Sequence, residues 1–302
     1  MTGPAGEWHG IPRRVPAIAA MLTSAICFAA MGAFAKAAAS PQFAGSPMPA
    51  AQSVLFRFAF GVVVMLPLLF VPGANLLGND RRGLILRGLS GGLAVYFYFL
   101  AISKTTLANA VLLNFTSVVF APVFALLFLG ERLDRAHSVG MVVALLGTGL
   151  VTRIGIAPPS IGDGAGLLSG LLAGVALATV RRLRRNETAS SVFFYFSLVG
   201  LPVAGVGCLF EPLIWPTTQG WLLLFGTAAT SVAAQMLMTY GYRYVPTVDG
   251  VLMTLSQVVY TAIIGVAVFH ETPTASTLIG GGLIMASAGY SVFVGARKAR
   301  EQ

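Results

Sequence analysis

The stretches 124-FALLFLGERLDRAHSVG-140 and 265-GVAVFHETPTASTLIGG-281 decide how this chain is read. Each carries an apolar run closed by a glutamate, and Glu131 and Glu271 stand 140 residues apart. Arg132 and Arg135 follow the first glutamate, whereas Thr272 and Ala275 hold the corresponding places after the second. A block that recurs with its positive charges removed raises the question of where each copy faces.

The surroundings of both stretches are apolar. Of 302 residues, 56% are hydrophobic and 10% charged, against roughly a quarter charged in a soluble domain. The apolar runs approach the ~20 residues that a helix needs to cross the hydrocarbon core, and they are too continuous for the alternating segments of a β-barrel. Ten spans are expected: 15–36, 51–71, 83–103, 106–129, 138–152, 164–180, 190–210, 220–240, 247–269 and 274–295. The first continues well past the length of a signal-peptide core and is read as a helix. Cys27 and Cys208 both lie in apolar runs and suggest no disulfide framework.

The net charge of +9 is distributed by side. With ten helices starting from a cytoplasmic N-terminus, fifteen Lys and Arg fall on the cytoplasmic side, Arg87 counted among them, and three (Lys36, Lys104 and Arg153) on the other. That is the positive-inside pattern of an inner-membrane protein with both termini in the cytoplasm. The basicity therefore reports orientation in a lipid bilayer and gives no reason to expect a nucleic-acid partner.

Shifted by 140, residues 96–151 align with 236–291 without a gap, with seven identities in 56 positions. Asn109 meets Asp249, "VLL" at 111–113 meets "VLM" at 251–253, and Gly140 and Gly149 meet Gly280 and Gly289. A five-helix unit crosses the membrane an odd number of times, so its second copy enters from the opposite side. The loop after Glu131 then faces the cytoplasm and the loop after Glu271 the exterior, which is why only the first keeps arginines. The expected organisation is a tail at 1–14, a first repeat at 15–153, an inverted second repeat at 154–296 and a tail at 297–302.

Ten helices, two halves with a glutamate-closed fourth helix ("LFLGE" and "VAVFHE") and a glycine-bearing fifth resemble the EamA-type members of the drug/metabolite transporter superfamily, including aromatic amino-acid exporters. The resemblance implies an all-α integral membrane protein whose helices 1–4 and 6–9 enclose a central cavity, with helices 5 and 10 outside. It implies secondary transport by alternating access and no cofactor. One departure is His270, where the first copy has Gly130.

No acidic residue lies at the middle of a span, so facilitated or weakly coupled transport is expected in place of a carboxylate-driven proton or sodium cycle. Candidate substrate-binding groups near mid-span are Asn114 in helix 4, Ser256 and Gln257 in helix 9 and Gln235 in helix 8. The same residue types also serve as interhelical hydrogen-bond donors. Tyr96 and Tyr98 in "YFYF" offer rings with hydroxyls, but two positions apart on a helix they point to different sides. Arg57, about 9 Å inside helix 2, either attracts a substrate carboxylate or pairs with Glu211. Glu131, Glu271, Lys36 and Pro122 are candidates for gating or for purely structural duty, the proline as a kink in helix 4.

His9, His137 and His270 form no triad or metal motif with the acids, and no carbonyl filter or charged ring suggests a channel. The expected substrate is a small metabolite, foremost a hydrophobic or aromatic amino acid. Efflux of drugs or lipophilic cations is the alternative, and composition leaves the oligomeric state open.

Overall fold

The computed structural model describes residues 14–71, 75–129, 139–140, 142–143, 146–147, 149–150, 160–183, 186–241 and 247–301. They form helices and connecting turns, with no strand among them. The helices are α1 (Arg14–Ala38), α2 (Ala50–Met65, extended by a 3-10 segment Leu66–Phe70) and α3 (Arg81–Lys104). Next come α4 (Leu107–Asn114 and Ser117–Leu129) and α5 (the helical residues among 139–150). The second half comprises α6 (Ile161–Leu183), α7 (Ala189–Gly207), α8 (Thr218–Gly241), α9 (Thr247–Phe269) and α10 (Ala275–Glu301). The chain is an all-α integral membrane protein. Among the described residues, six stretches are long and apolar enough to cross a membrane unaided: Pro16–Ala38, Ala50–Phe70, Arg81–Lys104, Ile161–Val180, Ala189–Gly207 and Thr218–Met238. Leu107–Ala121, Ser256–Phe269 and Ala275–Ser287 are shorter apolar stretches.

Most helix starts are written in the sequence. Asp80 accepts from Gly83 N–H at 2.9 Å, Thr106 from Asn109 at 3.2 Å, Thr188 from Ser191 at 3.1 Å and Thr217 from Gly220 at 3.0 Å. Ser160 and Asp163 cap one another reciprocally at the start of α6. Two features go beyond the sequence reading. Residues 297–301, expected as a tail, continue α10. The interruption in α4 falls at Phe115–Thr116, while Ser117–Leu129 stays helical through Pro122. The Thr116 hydroxyl turns back onto the Leu113 carbonyl at 2.6 Å and takes up an acceptor there.

Because lipid is as apolar as leucine, small residues that let backbones approach drive packing. Gly166, Gly170 and Gly174 repeat at four-residue spacing on α6 and face Leu113, Thr116 and Phe120 of α4; a Cβ at Gly174 would sit 2.7 Å from the Phe120 Cβ. On α3, a Cβ at Gly92 would lie 2.9 Å from the Gly200 Cα of α7. Outward-facing Val63, Leu222, Ile263 and Leu278 remain exposed, as a lipid-facing surface requires.

The neighbour relations are reciprocal between the halves. α3 lies on α6 and α8 on α1; α4 lies on α6 and α9 on α1; α3 lies on α7 and α8 on α2. Across the middle α2 meets α7 and α4 meets α9. The reciprocity reaches single residues between α5 and α10. Ser287 donates to the Gly140 carbonyl, and the positions 140 residues away in each direction, Gly147 and Gly280, also meet: a Cβ on Gly147 would lie 2.6 Å from the Gly280 carbonyl.

Candidate functional site

At the end of the bundle that carries few arginines, three chain segments are tied together. Lys36, near the end of α1, forms a 3.0 Å ion pair with Glu271 beyond α9 and donates to the Thr105 carbonyl at 2.5 Å. Both Glu271 carboxylate oxygens accept the Leu107 N–H at 3.1 Å, so the anion sits on the positive end of α4. A turn aims it there: Glu271 N–H bonds back to the Gly265 carbonyl at 3.0 Å across His270, whose φ is 52°. The bond reaches one residue further back than the 6→1 bond of a Schellman cap, with His270 in the left-handed position that ends the helix. The left-handed position of this cap is ordinarily glycine, and it aligns with Gly130 of the first half.

Beside this lock, Glu211 accepts from Ala51 N–H at 3.1 Å and from the Tyr96 hydroxyl at 3.2 Å, capping α2. Gln52 exchanges two hydrogen bonds with the Ile214 backbone, at 2.7 and 3.0 Å. Beneath Glu271 remains a cavity of about 20 Å³ lined by Thr106, Ala108, Ala262 and Thr277, room for roughly one water. A larger groove of about 500 Å³ opens between α2 and α8, lined by Gln52, Phe56, Leu213, Trp215 and Trp221 among others.

Arg57 does not pair with Glu211. It is 4% exposed, and its Nε donates to the Ser231 hydroxyl of α8 at 2.5 Å. Its guanidinium lies 5.1 Å from the Phe58 ring centre and 5.3 Å from that of Phe196 on α7. Arg87, from α3, stands 4.5 Å from the same Phe196 ring. Arg57 Nη1 and Arg87 Nε and Nη1 are buried without a hydrogen-bond partner. Arg87, expected among the cytoplasmic arginines, has its guanidinium turned onto the Phe196 ring. It lies six residues inside α3, and that depth was the available signal.

The remaining candidates divide. Asn114 ends the first piece of α4, and its amide donates to Ser169 of α6 at 2.8 Å. Gln257 is buried on α9, Ser256 beside it is half-buried, and Gln235 is half-buried one turn beyond Ser231 on α8. The Tyr98 hydroxyl is buried without a partner, while Tyr96 is held by Glu211, so the two rings do face different surroundings. Pro122 lies within the second piece of α4, and Glu131 lies outside the described residues. At the arginine-rich end, Arg182 pairs with Asp80 at 3.3 Å, and Glu187 accepts from the N–H groups of Asn79 and Asp80 at 2.7 and 2.6 Å.

Comparison with known proteins adds four findings. The model of the EamA-like transporter family matches residues 15–153 and 160–293. The chain is 30% identical to the pseudopaline exporter of Pseudomonas aeruginosa, over 80% of this chain and 86% of that one. It is 26% identical to an S-adenosylmethionine uptake transporter of Rickettsia felis, over 83% and 86%. A crystal structure at 21% identity superposes with a TM-score of 0.60, covering 94% of this chain and 98% of its own, which speaks for the fold.

Proposed function

Since the chain belongs to the EamA-like transporter family, we propose that this multi-pass membrane transporter of small metabolites is a facilitative or weakly coupled exporter working by alternating access. The foremost substrates on this reading are hydrophobic or aromatic amino acids. Its relatives are named for different small metabolites moved in both directions, one an exporter and one an uptake carrier. Substrate and direction must therefore come from this chain's own chemistry.

The observation that carries the reading is the reciprocal packing of the halves, down to Ser287 on Gly140 and Gly147 on Gly280. If the repeats 15–153 and 154–296 are inverted, with both termini in the cytoplasm of a cell whose inner membrane holds the protein, exchanging their arrangements moves the closed end from one side to the other. The closed end is then the external one, locked by Lys36 and Glu271. Gln257, Ser256, Gln235, Tyr98 and Arg57 are the proposed substrate-facing groups, with Asn114 held by Ser169 and Tyr96, Pro122 and Glu131 supporting the gates. The alternative, efflux of lipophilic cations, is favoured by the aromatic groove at Phe56, Trp215 and Trp221.

Counterflow of labelled amino acids in proteoliposomes, with and without an imposed pH gradient, tests the reading. Saturable exchange of hydrophobic and aromatic amino acids without gradient-driven accumulation is expected. Absence of exchange for every amino acid sinks the substrate assignment, and accumulation along the gradient sinks the facilitative one.

A further inference from the structure

We propose that Arg57 and Arg87, gathered on Phe196, form an anion subsite in the membrane interior that binds the substrate's carboxylate, so that the carrier takes organic acids and rejects cations. The inference rests on the carrier reading and narrows its substrate class.

Two guanidinium groups from different helices converge on one aromatic ring, at 5.3 and 4.5 Å from its centre. Arg57 lies seven residues into α2 and Arg87 six residues into α3, depths of roughly 10 Å at 1.5 Å per residue. Arg57 is 4% exposed, and Arg87 is half-buried with its Nε and Nη1 covered. The described ion pairs, Lys36 with Glu271 and Arg182 with Asp80, use other cations. Asp80, Asp163, Glu187, Glu211 and Glu271 all stand in turns or first turns. Like charges in a medium of low dielectric repel strongly, and the face of Phe196 offsets part of that charge but accepts no hydrogen bond in the guanidinium plane.

What remains open is specific. Arg57 Nη1 and Arg87 Nε and Nη1 are buried donors without acceptors, and Gly91, lacking a Cβ, makes room for the Arg87 guanidinium to lie against α3. Planar forks of N–H donors match a carboxylate, which accepts two parallel hydrogen bonds. Phe58 and Phe196 beside the forks provide apolar surface for the rest of the ligand. A lipophilic cation would meet two uncompensated positive charges at the same place. The pair thus separates the two substrate readings that the aromatic side chains alone leave level.

The test uses one carbon skeleton with different head groups: phenylalanine, N-acetylphenylalanine, phenylalaninamide and phenethylamine. They compete in counterflow in vesicles of zwitterionic phosphatidylcholine, where no anionic lipid headgroup occupies the forks. Phenylalanine and its N-acetyl derivative are expected to compete, and the amide and the amine to fail. Arg57→Gln and Arg87→Gln are expected to raise KM for the acids roughly ten- to hundredfold. Arg57→Lys and Arg87→Lys, which keep the charge but lose the fork, should retain part of the affinity. Equal competition by acid and amide overturns the proposal, as does an unchanged KM in a Gln variant whose thermal unfolding matches the wild type. If the wild-type protein exchanges none of the four, the carrier assignment for these substrates fails. The subsite is then judged by calorimetry on the detergent-solubilised protein: N-acetylphenylalanine binding that is lost in Arg57→Gln sustains it, and no binding overturns it.

Discussion

Lys36 and Glu271 come from the ends of the first and ninth helices and meet at 3.0 Å on the N-terminus of the fourth. One carboxylate thereby ties three segments, since Lys36 also reaches the Thr105 carbonyl that precedes α4. The pair is partly shielded, with side-chain exposures of 20% and 13%, so it escapes the full solvent screening that makes surface pairs nearly worthless.

Breaking this lock is expected to open the arginine-poor end. Lys36→Met leaves Glu271 on the α4 amides without its cation, a loss of about 1–3 kcal/mol from the closed arrangement. With Cys27 and Cys208 replaced by alanine and a cysteine placed at Ala108, beside the cavity under Glu271, a membrane-impermeant maleimide should label the Lys36→Met protein faster than its Lys36 parent. Equal rates would mean that the lock does not control access.

His270 stores strain that glycine relieves. At φ 52° it holds the left-handed position of the α9 cap, which costs an L-residue about 1–2 kcal/mol. His270→Gly is therefore expected to stabilise the protein by about 1 kcal/mol, read as a higher unfolding temperature in detergent. A lower temperature would show that the imidazole contributes more than its backbone costs.

Much of this architecture was legible. The 140-residue shift rested on seven identities, yet it places Gly140 on Gly280 and Gly147 on Ser287, the positions that meet across α5 and α10. Helix starts were legible because Asp80, Thr106, Thr188 and Thr217 precede apolar runs. The partners of charged groups were not, since the pairing of Lys36 with Glu271 depends on how helix ends converge, which no local pattern encodes. The contact of Arg87 was illegible for a related reason: it follows Arg81 and Arg82 in sequence, and only the α3 register turns it onto Phe196. The break at Phe115–Thr116 carries no proline or glycine to announce it, whereas the piece that contains Pro122 is helical from Ser117 to Leu129.

The two ends of the α5–α10 contact should respond unequally to alanine. At Gly147 a methyl group would lie 2.6 Å from the Gly280 carbonyl, so Gly147→Ala must push the helices apart, an overpacking cost of about 1–3 kcal/mol. Ser287→Ala removes one interhelical hydrogen bond, about 0.6 kcal/mol in a membrane bundle. Ser287→Gly, which repeats at that end what Gly147 does at the other, should be tolerated. Thermal unfolding of the three variants checks the order, and a Gly147→Ala protein as stable as wild type would contradict the close approach.

The two amides proposed for the interior should separate in the same way. Asn114 spends its amide on Ser169 at 2.8 Å, so Asn114→Ala and Ser169→Ala should each cost about 0.6 kcal/mol, and the double variant little more than either. Gln257 is buried on the helix that meets α4 across the middle of the bundle. If it faces substrate, Gln257→Ala should raise KM in counterflow while leaving the unfolding temperature within the spread of surface variants. The paired readouts separate the roles, because a packing residue moves stability before transport and a binding residue the reverse. Additive effects of the Asn114 and Ser169 changes would dissolve the pair, and a Gln257→Ala protein with unchanged KM would take that amide out of the binding site.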